Sequence, residues 1–357
     1  MKHLLLPFTL LFLAVGLSTA AEIKFSGFLD ADMAVGVNDK FKNLGFQSNH
    51  ELDLTMDAKF SDKVSVQLYA TSVTTKEDPT DSLSEVIATT PAGGSPVSNR
   101  WSGLDFDGLA LTWNATTDLT LIIGDLVYNG GQLGYYFYKR PIGYGAIMKE
   151  QFIRGVGLNM GGLSFYAGSS DSDNSLFKLY GSFALSLGDL GSLKPMADVT
   201  LGGFNTDWNT GIEIGLTPIK DLAVNGALGL RQNNGNKLTT TVLIEPAFSM
   251  GSASLALTYF QAFFDDAEKS NYDVPEEVFV YVEPGVAAND LLAFGLPLEW
   301  HDPDLDVNTD AFFTVVPTAY IYPAENVEWW IWTQYIAFTE GNNDPAFAAG
   351  SEIIVSF

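Results

Sequence analysis

Carboxylate side chains recur at alternate positions in several segments of this chain, and that spacing favours cation binding. The chain has 43 Asp and Glu against 18 Lys and Arg, a formal net charge of −25. An excess of this size excludes nucleic acid as a natural partner and attracts cations. In an extended strand, alternate residues point to one side. The carboxylates that we assign to one polar wall are Asp30, Asp32, Glu51, Asp53, Asp57, Glu213 and Glu352.

A second acidic run could hold a hard metal ion. Asp302, Asp304 and Asp306 stand at every second position, and calcium prefers several converging carboxylate oxygens. An EF-hand loop that began at Asp302 would need Gly at its sixth position and Glu at its twelfth. Val307 and Phe313 stand there instead. We therefore predict a solvated acidic loop, with calcium binding at these three residues as the alternative.

The residues for nucleophilic catalysis are scarce. The chain contains no Cys and three His. His50 lies close to Ser48 and Glu51, but no local nucleophile motif surrounds it. The sequence thus predicts neither an enzyme nor a cofactor.

Alternation with a period of two also predicts the elements that position the carboxylates. Ile23, Phe25, Leu29 and Met33 fall on one face of the first block, opposite the face that carries Asp30. A soluble sandwich and a membrane barrel both show such alternation. The connections distinguish them, because outer-membrane barrels alternate short turns with longer loops.

Short and long connections do alternate in this chain. We predict short turns near 61–63, 116–118, 160–162, 218–221, 250–252 and 323–326, and long loops such as 76–100 and 265–276. The pattern predicts an all-β, antiparallel, up-and-down transmembrane barrel of 16–18 strands. We prefer eighteen strands; sixteen would result if residues 278–300 formed a loop. A barrel of that size encloses an aqueous channel.

Both ends of the chain agree with export. Residues 1–21 have a basic start, an apolar stretch and small residues for cleavage, as in a secretory signal peptide. The barrel domain would then comprise residues 22–357. The final segment, Ser351–Phe357, alternates apolar and smaller or polar residues and ends on an aromatic ring. An unpaired terminal strand of this kind would fray or aggregate in a soluble protein.

This terminus resembles that of the outer-membrane β-barrels of Gram-negative bacteria, whose last strand ends in Phe. The resemblance implies an outer-membrane location, contact with lipid and lipopolysaccharide, and recognition of the C-terminal strand by the barrel-insertion machinery. It also implies a possible homotrimer. In trimeric porins of this family, the third external loop folds into the barrel and narrows it.

The corresponding segment here, residues 129–154, follows the fifth predicted strand and is rich in aromatic and basic residues. Two interpretations remain open: a constriction inside the pore, or a strand extension whose rings join the outer aromatic girdle. The constriction candidates are Tyr136, Tyr138, Lys139, Arg140, Lys149 and Arg154. The girdle candidates elsewhere are Trp113, Tyr180, Tyr259, Tyr320, Tyr322, Trp329, Trp330 and Trp332.

From these patterns we predict an outer-membrane porin that allows passive diffusion of small hydrophilic solutes and prefers cations. The alternative is a structural or adhesive surface protein that binds a substrate or host through its external loops, above all residues 76–100.

Overall fold

The structure is a computed structural model. It describes residues 22–38, 43–73, 105–129, 139–140, 143–144, 150–170, 176–202, 207–233, 237–264, 278–302, 305, 311–339 and 345–357. Apart from one short 3-10 turn at Gly188–Leu190, the regular elements in these ranges are β-strands. None of the described helical segments is long and apolar enough to cross a membrane.

The strands follow one another in chain order with antiparallel pairing. They are β1 (Glu22–Asn38), β2 (Asn43–Lys59), β3 (Val64–Val73), β4 (Asp105–Asn114), β5 (Leu119–Asn129), β6 (Lys139–Arg140), β7 (Gly143–Tyr144), β8 (Glu150–Met160), β9 (Leu163–Ser170), β10 (Phe177–Phe183), β11 (Leu185–Ser186), β12 (Gly191–Leu201), β13 (Asp207–Ile219), β14 (Leu222–Asn233), β15 (Lys237–Met250), β16 (Ala253–Phe264), β17 (Val278–Ala287), β18 (Leu292–Gly295), β19 (Leu298–Asp302), β20 (Phe312–Val315), β21 (Thr318–Ala324), β22 (Val327–Phe338) and β23 (Ala346–Ser356).

These segments form a closed barrel of eighteen strands. β10 with β11, β18 with β19, and β20 with β21 are each one strand with a short interruption, while β6 and β7 form a separate small hairpin. Residues 278–300 therefore contribute two barrel strands, as the eighteen-strand prediction requires.

Closure depends on the two ends of the described chain. β1 pairs with β23 from Phe28↔Ser356 to Val37↔Phe347. Phe357 continues this pairing, because its backbone N–H donates to Gly27 O and its carbonyl accepts from Gly27 N–H, each at 3.0 Å. The aromatic terminus predicted to complete a barrel is thus in the closing seam, where it leaves no sheet edge exposed.

The predicted short turns all lie at one end of the barrel, which we call the short-turn end. Two further short connections join it: the 3-10 turn at Gly188–Leu190, and residues 288–291 between β17 and β18. The turn between β13 and β14 contains Asp221 with φ of 71°, a left-handed conformation that Asp tolerates better than most residues.

The inner face of the barrel is identified by side chains that meet across several strands. Tyr128 on β5 donates its hydroxyl proton to Oδ2 of Asp198 on β12 over 3.0 Å, although three strands lie between them. Side chains so far apart along a curved sheet can converge only on its concave side. Because directly paired residues share a face, the ladder extends this assignment around the whole barrel.

The outer face defined in this way carries the apolar side chains. Phe25, Met33, Ile123 and Val156 are all more than half exposed, as expected of residues that contact lipid. The same register places Leu109, Leu111, Trp113 and Phe165 outside. The predicted orientation, with apolar faces outward, is therefore confirmed.

Several of the predicted girdle aromatics were assigned to the wrong side. Trp113, Tyr259 and Trp329 are exposed on the outer face, in keeping with a girdle. Tyr180, Tyr320, Trp330 and Trp332 point inward and pack against other side chains of the lumen wall. Of the adjacent pair Trp329 and Trp330, the first thus faces outward. Aromatic content alone does not show on which face of a strand a residue lies, because the pairing register fixes that face.

Candidate functional site

The predicted acidic wall forms from strands at opposite ends of the chain. Asp30 and Asp32 on β1 pair with Glu51 on β2 and Glu352 on β23, respectively. Asp53 and Asp57 continue the same face of β2. All six carboxylates therefore lie on the inner face of three neighbouring strands, and barrel closure brings Glu352 to them.

Hydrogen bonds position part of this wall. Asp57 Oδ1 accepts from the side-chain amide of Gln67 at 2.8 Å, and Asp53 Oδ1 accepts from the hydroxyl of Thr71 at 2.8 Å. Both donors are on β3, directly paired with the acidic residues. These bonds hold the carboxylates against the wall and leave their negative charge at the lumen surface.

Glu213 lies on the other side of the barrel. It is on β13, the tenth of the eighteen strands, and its carboxylate is 3.4 Å from the ammonium of Lys194 on β12. A second inward lysine, Lys178, lies 4.0 Å from Asp198. Each of these two lysines therefore faces a carboxylate at short range, which reduces its effect on a passing ion.

A packed corner occupies the lumen face from β5 to β12. Tyr128 stacks on Tyr180 with ring centroids 3.9 Å apart, and the ammonium of Lys178 lies 5.5 Å from the Tyr128 ring. Asp198, which is 2% exposed, also accepts a 2.7 Å hydrogen bond from Asn209. Leu126, Ile153 and Met196 complete the cluster. The side chains of this sector pack against one another along the lumen face.

A second inward arrangement centres on a single carboxylate, which the sequence analysis did not select. Glu283 on β17 accepts hydrogen bonds from the hydroxyls of Tyr281 at 2.6 Å and Tyr320 at 2.7 Å. The segment Val280-Tyr281-Val282-Glu283 alternates apolar and polar residues, and that signal could have identified it. The contact with Tyr320 arises because β17 and β21 both pair with β18. No local sequence pattern indicated it.

Arg154 is a correction to the predicted constriction. On β8 it shares its face with Val156, and it pairs with Asp125 on β5, which follows the outward Ile123 by two positions. Its Nε donates to Asp125 Oδ1 over 2.6 Å. The side chain therefore lies on the outer face, because its position differs by one residue from that of the inward Ile153.

Other predicted residues lie outside the described part of the chain. These are the signal peptide at 1–21, Tyr136, Tyr138, Lys149, Asp304, Asp306 and the loop at 76–100. Lys139 and Arg140 belong to the small hairpin of β6 and β7, whose backbone alone is described. Among the described residues, no three His, Asp or Glu side chains group as metal ligands.

Comparison with known proteins bears on the fold. No family model matches the sequence, and no curated protein matches it. Solved structures do match along the whole barrel.

Three of these structures share the fold at low sequence identity. OccAB3 of Acinetobacter baumannii has a TM-score of 0.54 and 12% identity, with 94% of this chain and 100% of that chain covered. OpdQ of Pseudomonas aeruginosa has a TM-score of 0.54 and 11% identity, covering 94% and 97%. A BenF-like porin of Pseudomonas fluorescens has a TM-score of 0.56 and 10% identity, covering 94% and 99%. The likeness is one of fold.

Proposed function

We propose that this porin-like outer-membrane β-barrel allows small hydrophilic solutes to diffuse passively across the bacterial outer membrane. The observation that carries the proposal is the separation of its two faces, with apolar side chains outside and carboxylates inside. A closed barrel of eighteen strands is wide enough to enclose an aqueous channel beside the packed corner. The outer face provides the surface that contacts membrane lipid.

We further propose that the pore prefers cations. The acidic wall of β2, β1 and β23 carries six inward carboxylates. The lysines on the same inner face each lie near a carboxylate of their own: Lys24 and Lys59 lie within 3.0 Å of Glu22 and Asp62, and Lys178 and Lys194 lie within 4.0 Å of Asp198 and Glu213. Carboxylates that line a pore raise the local concentration of cations and repel anions. The effect is screened by salt, so it should weaken as ionic strength rises.

Recording from planar bilayers tests both statements. Purified protein should give stepwise conductance in KCl, and its reversal potential in a KCl gradient should have the sign of cation preference. A triple variant with Asp30→Asn, Glu51→Gln and Asp53→Asn should move the reversal potential towards zero.

The matched control for this test is Glu325→Gln, which removes one charge from an exposed position in a short turn. Its reversal potential should equal that of the wild type. Protein that inserts without conductance steps would contradict the pore. An anion-selective reversal potential would contradict the cation preference alone.

A further inference from the structure

A cavity of about 830 Å³ opens on the lumen side near the short-turn end of the barrel. Its wall combines Glu283, Tyr320, Tyr322 and Trp330 with Asp30 and Glu352 of the acidic wall. None of the described residues that line it is Lys or Arg. The cavity thus joins aromatic faces to carboxylates at a place where solutes in the proposed pore would pass.

The central carboxylate of this cavity is held in a fixed position. Glu283 is only 8% exposed, and one tyrosine hydroxyl donates to each of its oxygens. Tyr281 is itself 2% exposed, so the packing around it fixes the direction of its hydroxyl. The carboxylate is therefore preorganised.

A glycine provides the space for this arrangement. A methyl group placed on Gly295 would lie 2.7 Å from Oε1 of Glu283 and 2.8 Å from Cε2 of Tyr320. Both distances are too short for a side-chain carbon. Because β18 has a glycine at this position, it contributes no side chain where the Glu283 carboxylate meets the Tyr320 phenol.

Aromatic faces make up the other part of the wall. The rings of Tyr320 and Trp330 lie edge to face, with centroids 5.4 Å apart and an interplanar angle of 85°. Trp330 also donates its indole N–H to Glu328 over 3.1 Å, which fixes the ring plane. Fixed aromatic faces beside a carboxylate are the groups that bind organic ammonium ions, through cation–π attraction and charge pairing.

We propose that this cavity is a binding site for small organic ammonium ions on their way through the pore. The proposal rests on the proposed pore function, and it goes beyond cation preference because it distinguishes organic from inorganic cations. Hydrated potassium keeps its water shell between itself and the rings, whereas a weakly hydrated alkylated ammonium can contact Trp330 and Tyr320 directly.

The probe for this test is choline, added as its chloride to single channels recorded in KCl. Binding should interrupt the potassium current in a manner that saturates with choline concentration. Glu283→Gln should weaken the block on the order of tenfold, because the charge is lost from a buried site. Trp330→Leu should weaken it about threefold to tenfold and leave the potassium-to-chloride selectivity unchanged.

Glu325→Gln again provides the control with one charge fewer and an intact cavity wall. The two proposals fail in different ways. Absence of conductance in KCl alone would contradict the pore, whereas clear steps that choline does not interrupt would overturn only the ammonium site. The site would also be overturned by equal choline block in the wild type, Glu283→Gln and Trp330→Leu. Each variant is inserted into the bilayer from liposomes. Its conductance in KCl then shows that it has folded.

Discussion

The hydroxyl of Tyr128 donates to the carboxylate of Asp198 across the curved inner surface of three intervening strands. The two residues are seventy positions apart in the chain, and their contact is 3.0 Å long. Because Tyr180 stacks beneath the Tyr128 ring, the bond is shielded from water and holds the β5–β12 corner together. This corner projects side chains of β5, β10 and β12 into the barrel.

Tyr128→Phe should test the energetic role of that bond. The substitution keeps the ring stack and leaves a buried carboxylate with one donor fewer, so the free energy of unfolding should fall by about 1–3 kcal/mol. Urea titration of the barrel in detergent micelles measures this change. Tyr166→Phe, which removes a hydroxyl from a neighbouring ring without touching Asp198, is the control. Equal stability of both variants would show that the bond contributes nothing.

Adjacent residues on β4 should distinguish the two faces of the barrel. Leu111 is outward and Thr112 is inward. Leu111→Arg places a charge against lipid and should cost on the order of 1–3 kcal/mol, since the penalty depends on depth in the bilayer. Thr112→Arg should fold normally and reduce cation preference in bilayer recordings. The reverse result, with Thr112→Arg the less stable barrel, would invert the assignment of faces.

Removal of the outward arginine should leave conduction unaltered. Arg154→Gln eliminates an ion pair whose arginine side chain is 60% exposed, so the stability change should be at most about 1 kcal/mol. Single-channel conductance and reversal potential should match those of the wild type, because the side chain lies outside the pore. A changed reversal potential would return Arg154 to the constriction for which the sequence suggested it.

Gly295→Ala should disturb the wall around Glu283. The added methyl group collides with both Glu283 and Tyr320, and overpacking of this kind typically costs about 1–3 kcal/mol. Gly181→Ala is a matched control, since its methyl group would meet only Ser164 O at 3.9 Å. Thermal unfolding followed by gel mobility compares the two variants. If Gly295→Ala melts at the wild-type temperature, the side chains of Glu283 and Tyr320 accommodate the added methyl group without strain.

Alternation and composition predicted the barrel and the acidic part of its lumen wall. Alternation predicted the strand number, the turn positions and the inward face of β1, β2 and β23. A strand with one face in lipid must carry apolar residues at every second position, so its period is visible in the sequence. Tyr180, Tyr320 and Trp332 were assigned outward, since aromatic rings suit both a girdle and a packed corner. The prediction for Arg154 was wrong for a related reason. Its neighbours in the chain suggested a loop, whereas its register with Asp125 places it on the outer face of β8.

The amino-acid sequence by itself determined the repeating zigzag, the acidic excess and an aromatic terminus able to close a sheet, because these depend on local composition and period. Only the tertiary structure decided which carboxylates meet, since Asp32 and Glu352 become neighbours through the closing pair of strands. The tertiary structure likewise decided the contacts of Tyr128 with Asp198 and of Glu283 with Tyr320. Such contacts arise from curvature and register, which no single segment encodes.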